Sequence, residues 1–155
     1  MNDDPWYVHY PKDVPQQIDT AEYASLAELL DVSFKKFGEN AAFENMGKVI
    51  TFSELKTAVN NFSAYLIHDL GLSKGDKVAI QMPNLLQYPV VLFGALQAGM
   101  TVVNVNPLYT SSELKHQLND SDAKVIIVLA NFASTLESIL SETKLKHVLI
   151  TQIGD

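Results

Sequence analysis

Four short stretches carry residue types that could do chemistry. The first is Asn104 to Glu113, "NVNPLYTSSE", where amides, hydroxyls and one carboxylate stand between a β-branched run and a polar, helix-like run. Thr110 and Glu113 have capping-box spacing: the Thr hydroxyl can accept from the Glu backbone N–H while the Glu carboxylate reaches back to the Thr amide. Helix starts also attract anions, and loops at the carboxyl ends of parallel strands are where α/β proteins gather ligands. The second stretch, Gly71-Leu72-Ser73-Lys74-Gly75-Asp76, has glycines and a lysine but not the order G-x-x-x-x-G-K-[ST] that wraps a polyphosphate. Asp76 reads there as a turn residue. The third, Met82-Pro83-Asn84, follows a strand-like run where a dinucleotide fold would place G-x-G-x-x-G, and Pro83 removes a backbone donor. The fourth set is His9, His68, His116 and His147, too far apart to put two ligands on one helix face. No G-x-S-x-G elbow exposes a nucleophile. The residues alone therefore nominate no catalytic, cofactor-binding or metal-ligating side chain, and leave the Asn104 to Thr110 turn as principally structural.

The elements that must position these stretches follow from periodicity. Ser25 to Glu28 has capping-box spacing, and Leu26, Leu29, Leu30, Phe34 and Phe37 recur at helical intervals up to Gly38. Two short β-like runs around Asn45 to Lys48 suit a hairpin. Thr51 and Glu54 open a second helix with the stripe Leu55, Ala58, Val59, Phe62 and Leu66. Past Gly71 strands and helices alternate. Strands are expected at 77–82, 101–105, 124–129 and 147–151, and helices at 86–98, 112–119 and 132–140. The 86–98 helix has little polar face and reads as central and buried. Strands apolar on both faces imply an α/β fold with a largely parallel sheet covered by helices. Residues 1–24, with Trp6, Tyr7 and Tyr10 among Pro5, Pro11 and Pro15, read as an extended arm whose rings pack on the domain; residues 25–155 form the α/β unit.

Composition bounds the rest. At 155 residues and 47% hydrophobic content the chain fits one domain with a substantial core. Eighteen acidic against eleven basic residues give a net charge of −7, which disfavours nucleic acid as a partner. The absence of cysteine excludes disulfides and thiolate chemistry. The acidic start lacks the apolar run of a secretory signal, so a cytoplasmic location is expected. The most apolar stretch, Tyr88 to Val105, is interrupted by Gln97, Gly99 and Thr101, short of the roughly 18 unbroken residues a membrane helix needs.

In order along the chain, Gly75-Asp76-x-Val78, Pro83-Asn84, Gly94 with Ala98-Gly99, Asn104 to Thr110, and Leu118-Asn119-Asp120-Ser121 resemble the N-terminal region of the adenylate-forming acyl-CoA synthetases. Asn45-Met46-Gly47 and Asn84 to Val90 are similar to the bacterial long-chain fatty-acid–CoA ligases within that superfamily. The resemblance runs from Trp6 to Asp155. It implies a ligase of two steps: a fatty acid and Mg-ATP give acyl-adenylate and pyrophosphate, and coenzyme A then takes the acyl group. Cofactors implied for the full-length enzyme are ATP, Mg2+ and coenzyme A, none of them expected on this stretch alone. The implied partners are a long-chain fatty acid and coenzyme A, with peripheral membrane contact and a homodimer as further possibilities the superfamily offers.

The superfamily's phosphate loop, adenine and ribose motifs, hinge and catalytic lysine have no matching positions in residues 1–155. No site residue is carried over, and the chain is expected to be an inactive N-terminal part of the ligase. A strand followed only by "TQIGD" fits either a cut before the next unit or a sheet edge. The other reading open at this level is a free-standing, non-catalytic α/β module that binds a small ligand or a protein.

Overall fold

A computed structural model describes residues 4–155. The first regular helix, α1 (Leu26–Phe37), begins where Ser25 leaves the extended region and its hydroxyl accepts from the Glu28 amide. The reciprocal bond differs from the expected capping box: the Glu28 carboxylate accepts from Ala24 rather than from Ser25. Strands β1 (Ala41–Asn45) and β2 (Lys48–Thr51) pair antiparallel across Met46-Gly47. Both turn residues have positive φ (51° and 79°), as a type I′ turn demands, and the glycine takes the second of them without a Cβ penalty. Thr51 and Glu54 close the expected capping box at the start of α2 (Phe52–His68).

The main sheet holds β3 (Lys77–Gln81), β4 (Thr101–Asn104), β5 (Val125–Leu129) and β6 (His147–Thr151), all parallel, in the order β4-β3-β5-β6. Between them run α3 (Gln87–Gln97), α4 (Ser111–Asp120) and the short α5 (Ala133–Glu137). Side chains alternate across the strands, so each strand supplies both faces. Val78, Ile80, Val125 and Ile127 meet Val91 and Ala95 of α3 and Leu66 of α2. On the opposite face Ala79, Ile126 and Val128 meet Leu114 and Leu118 of α4 and Leu136 of α5. The expected sheet covered by helices is what forms.

Helices α2 and α3 approach closely at Gly94, where a Cβ would sit 2.8 Å from the Phe62 ring and 3.2 Å from the Val59 carbonyl oxygen. α3 is less enclosed than its composition suggests: Val91, Gly94 and Ala95 are buried, whereas Val90, Leu92, Phe93 and Leu96 are only partly so. The single helix expected over 132–140 is instead a 3-10 turn (Ala130–Phe132), the five-residue α5, and a second 3-10 turn (Leu140–Glu142). Phe132 at its start offers no capping side chain, and the hydroxyls of Ser138 and Thr143 bond to backbone carbonyls at positions 135 and 140 and tighten the segment.

The arm also differs from expectation. Tyr7–His9 is one 3-10 turn, and the rings pack on one another, with the Tyr7 and Tyr10 centroids 5.4 Å apart and edge to face. Trp6 is 53% exposed and Tyr10 41%, so these rings are not laid into the domain. With prolines at 5, 11 and 15 removing backbone donors, the local turns and the mutual ring contacts are what remain available.

Candidate functional site

In a sheet of this order the connection from β3 turns to one side and the connections from β4 and β5 to the other, so the strand ends part at the β3–β5 boundary. Open α/β sheets place ligands outside the carboxyl ends of the strands at such a point. A cleft of about 580 Å³ lies there. Its walls are Met82-Pro83-Asn84 after β3, Asn104 to Leu108 after β4, Tyr88 from the first turn of α3, and Phe132 beyond β5. Three of the four stretches named above thus have these destinations: the Asn104 turn and Met82-Pro83-Asn84 line the cleft, and the Gly71 to Asp76 turn lies at the other end of β3.

The cleft walls are held from behind. The Tyr88 hydroxyl donates to Asn104 Oδ1 at 2.8 Å, joining α3 to the end of β4. Gln117 Nε2 donates to the Asn104 carbonyl at 3.0 Å, joining α4 to the same residue. Asn106 Oδ1 accepts from the Leu108 amide at 3.0 Å and its carbonyl accepts from Tyr109, so the turn around Pro107 is fixed by its own side chain. The Thr110–Glu113 box then forms as spaced, with the Glu113 carboxylate accepting from the Thr110 amide at 2.9 Å and from its hydroxyl at 2.7 Å. Those bonds, the side-chain one first, hold the Glu113 carboxyl below its ordinary range. Asn45 Nδ2 donates to the Asn84 carbonyl and ties the hairpin to the other wall.

What lines this cleft decides what it can do. Amides and one phenol are its polar groups, and no lysine, histidine or carboxylate stands in its wall. The chain contains no arginine at all, the side chain best shaped for a bidentate hold on phosphate. The cleft can receive an uncharged, largely apolar group and orient it with one or two hydrogen bonds; it has no group to neutralise a phosphate and no base near neutrality. A magnesium nucleotide therefore does not fit these residues. Among the described residues no cluster of three His, Asp or Glu side chains could hold a metal ion, and the four histidines do not converge.

Three of the lysines stand at the opposite end. Lys77, Lys124 and Lys146 stand at or just before the starts of β3, β5 and β6. Asp76 accepts from the Ser73 amide at 2.9 Å, the expected turn role, and also pairs with Lys124 at 2.6 Å. The Lys124 bond, then the Ser73 bond, hold the Asp76 carboxyl below its ordinary range. Gln81, the last residue of β3, is fully buried with neither its amide nitrogen nor its oxygen partnered, and Gln117 Oε1 is likewise buried and free. From sequence Tyr88 reads as one more residue of an apolar helix and Gln81 as one of a strand; neither has a local signal, because their surroundings are assembled from distant segments.

The family model for AMP-binding enzymes matches residues 30–155. The chain belongs to the AMP-binding enzyme family. It is 54% identical over 150 residues to the long-chain-fatty-acid–CoA ligase of Salmonella typhimurium, an alignment that covers 97% of this chain and 27% of that protein. The chain thus spans about a quarter of the length of the curated relatives it matches. Among solved structures, a long-chain-fatty-acid–CoA ligase from Archaeoglobus fulgidus superposes with a TM-score of 0.75 at 28% identity, over 82% of this chain and 27% of that one. A benzoate CoA ligase from Burkholderia xenovorans superposes with a TM-score of 0.78 over 84% of this chain and 26% of that one; at 22% identity it speaks for the fold alone. This AMP-binding chain has the α/β architecture of the N-terminal part of adenylate-forming enzymes.

Proposed function

We propose that the chain is the amino-terminal part of a long-chain fatty-acid–CoA ligase, in which it serves as the scaffold beside the reacting groups. The observation that carries this reading is the 54% identity sustained over 150 residues with a ligase of that name. In the whole enzyme ATP with Mg2+ would supply the phosphorus that the fatty-acid carboxylate attacks, with pyrophosphate leaving, and the thiol of coenzyme A would then take the acyl group, with AMP leaving. The residues of this chain support that reaction by position. The parallel sheet fixes the loops at its carboxyl ends, the Tyr88–Asn104–Gln117 bonds lock the cleft wall, and the Thr110 cap sets where α4 begins. Contacts to the phosphates and the metal come from outside residues 1–155, since the described residues present no suitable donor set.

No helix among the described residues is long and apolar enough to cross a membrane. We place the enzyme in the cytoplasm, touching the membrane peripherally to reach a substrate that partitions there. The test is to express the whole gene that encodes these residues and to measure fatty-acid-dependent exchange of pyrophosphate into ATP, together with acyl-CoA formation from octanoate, palmitate and oleate. Exchange with palmitate or oleate is expected. A protein inert with all three acids would overturn the ligase reading and favour the non-catalytic module.

A further inference from the structure

The segment from Asn84 to Tyr88, one wall of the cleft, has open space on both sides. On one side lies the cleft of about 580 Å³. On the other, between the β1–β2 hairpin and α3, lies a space of about 360 Å³ bounded by Phe43 and Asn45 of the hairpin and by Pro89, Leu92 and Phe93 of α3. Asn84 and Tyr88 line both. A partition of this kind is not held in place by close packing on its two faces, so its few fixed points decide where it stands. Leu85 pins its middle into the core, and the Tyr88 hydroxyl bonds to Asn104 at its far end. At the near end Pro83 has no amide to donate, and the Asn84 carbonyl is the one backbone group of Pro83-Asn84 with a hydrogen-bond partner among the described residues.

That partner comes from 39 positions away. Asn45 Nδ2 donates to the Asn84 carbonyl at 3.1 Å, and because a carbonyl only accepts, the contact itself decides which way the Asn45 amide faces. Asn45 ends β1 opposite Lys48, beside the Met46-Gly47 turn. The position of the hairpin is set elsewhere: Ala42 and Ile50 pack on Phe34 of α1 and on Leu55 and Val59 of α2. A hairpin seated on the helices thus fixes one end of the partition through a single side chain. Resting on the ligase reading, we propose that Asn45 is a positioning residue for the cleft: its bond to the Asn84 carbonyl draws the partition toward the hairpin, sets the width of the cleft, and so sets the fit of the uncharged, largely apolar part of a substrate that enters there. Asn45 acts through Asn84 and touches no substrate itself.

The test uses the protein encoded by the whole gene. Asn45→Asp keeps the shape of the side chain but, as a carboxylate, has no proton to donate; Asn45→Ala removes the group; Lys48→Ala, at the exposed residue opposite it in the hairpin, is the control. The Tyr88 amide donates to the Leu85 carbonyl within the partition. Its hydrogen exchange should quicken about fivefold in both Asn45 variants, with the amides of β1 and β2 unchanged, and should stay at the parent rate in Lys48→Ala. In acyl-CoA formation, with palmitate and coenzyme A varied in turn, the two Asn45 variants should raise one KM about fivefold and leave kcat within about twofold of the parent. Parental exchange at Tyr88 in the Asn45 variants, faster exchange with both KM values unchanged, or exchange that quickens equally throughout the hairpin each overturns the proposal. A parent protein without ligase activity defeats the ligase reading instead, and the Tyr88 exchange rates then decide alone whether Asn45 holds the partition.

Discussion

The two ends of the parallel sheet are built from different chemistry. At the amino end charges face one another: Lys124 pairs with Asp76, with Lys146 near it, and Lys144 pairs with Asp122, with Lys77 near it. At the carboxyl end the walls are amides, prolines, a phenol and apolar side chains, closed by hydrogen bonds between uncharged groups. Two ion pairs thus fasten the starts of the strands, whereas the walls of the cleft at the other end are neutral. On the ligase reading proposed above, these residues supply form, and the charge needed for phosphate chemistry is expected from elsewhere in the protein.

The comparison depends on the layer that joins the two ends, and breaking that layer should have the largest effect. Val91 is buried against the sheet, so Val91→Asp places an unpaired carboxylate in apolar surroundings and is expected to cost more than about 3 kcal/mol and to abolish soluble expression. Leu92→Asp, one position on and only partly buried, should express with a lowered midpoint in denaturant. If the two variants behave alike, α3 is not seated as described.

Next in size is the amino end. Asp76, with a side chain 15% exposed, holds both Lys124 and the Ser73 amide, and Asp76→Asn should lose about 1 to 3 kcal/mol in a denaturant titration. The sign with pH follows from its lowered native pKa: the unfolded chain binds the proton more tightly, so the stabilisation is present above the ordinary carboxylate range and is lost as pH falls through the native value. The variant should therefore show a shallower loss of stability on acidification than the parent. An identical acid limb in both would remove Asp76 from the account.

The carboxyl end should respond more weakly. Thr110→Ala removes the cap of α4 and is expected to cost about 1 kcal/mol, visible as a lower midpoint; an unchanged midpoint would show that the cap is dispensable. Gln81→Met goes the other way. It replaces two unpartnered buried polar atoms with a side chain of similar length, and should raise stability by up to about 1 kcal/mol. A fall instead would mean that the amide has a partner the described contacts do not include.

Much of this was legible in the sequence, for local reasons. The caps at Ser25, Thr51 and Thr110, the glycine stops and the β-branched runs are signals contained within a few residues, and the helices and strands they mark lie within a residue or two of where they were expected. What escaped was non-local or weakly signalled. Asp76 and Lys124 are 48 positions apart, and nothing in either neighbourhood pairs them. Tyr88 joins the cleft because β4 ends beside it, and the arm's rings stay outside because its turns bring them to one another. The segment after β5 broke into three short pieces for want of a cap.

If residues 1–155 give form to a ligase without handling its phosphates, they bind no nucleotide by themselves, and calorimetric titration of Mg-ATP into this chain measures that. An exposed helix N-terminus contributes roughly 0.3 to 1 kcal/mol toward an anion, far short of what holding ATP requires. No heat beyond dilution is expected up to millimolar nucleotide; saturable binding in the micromolar range would instead put a phosphate site within these residues.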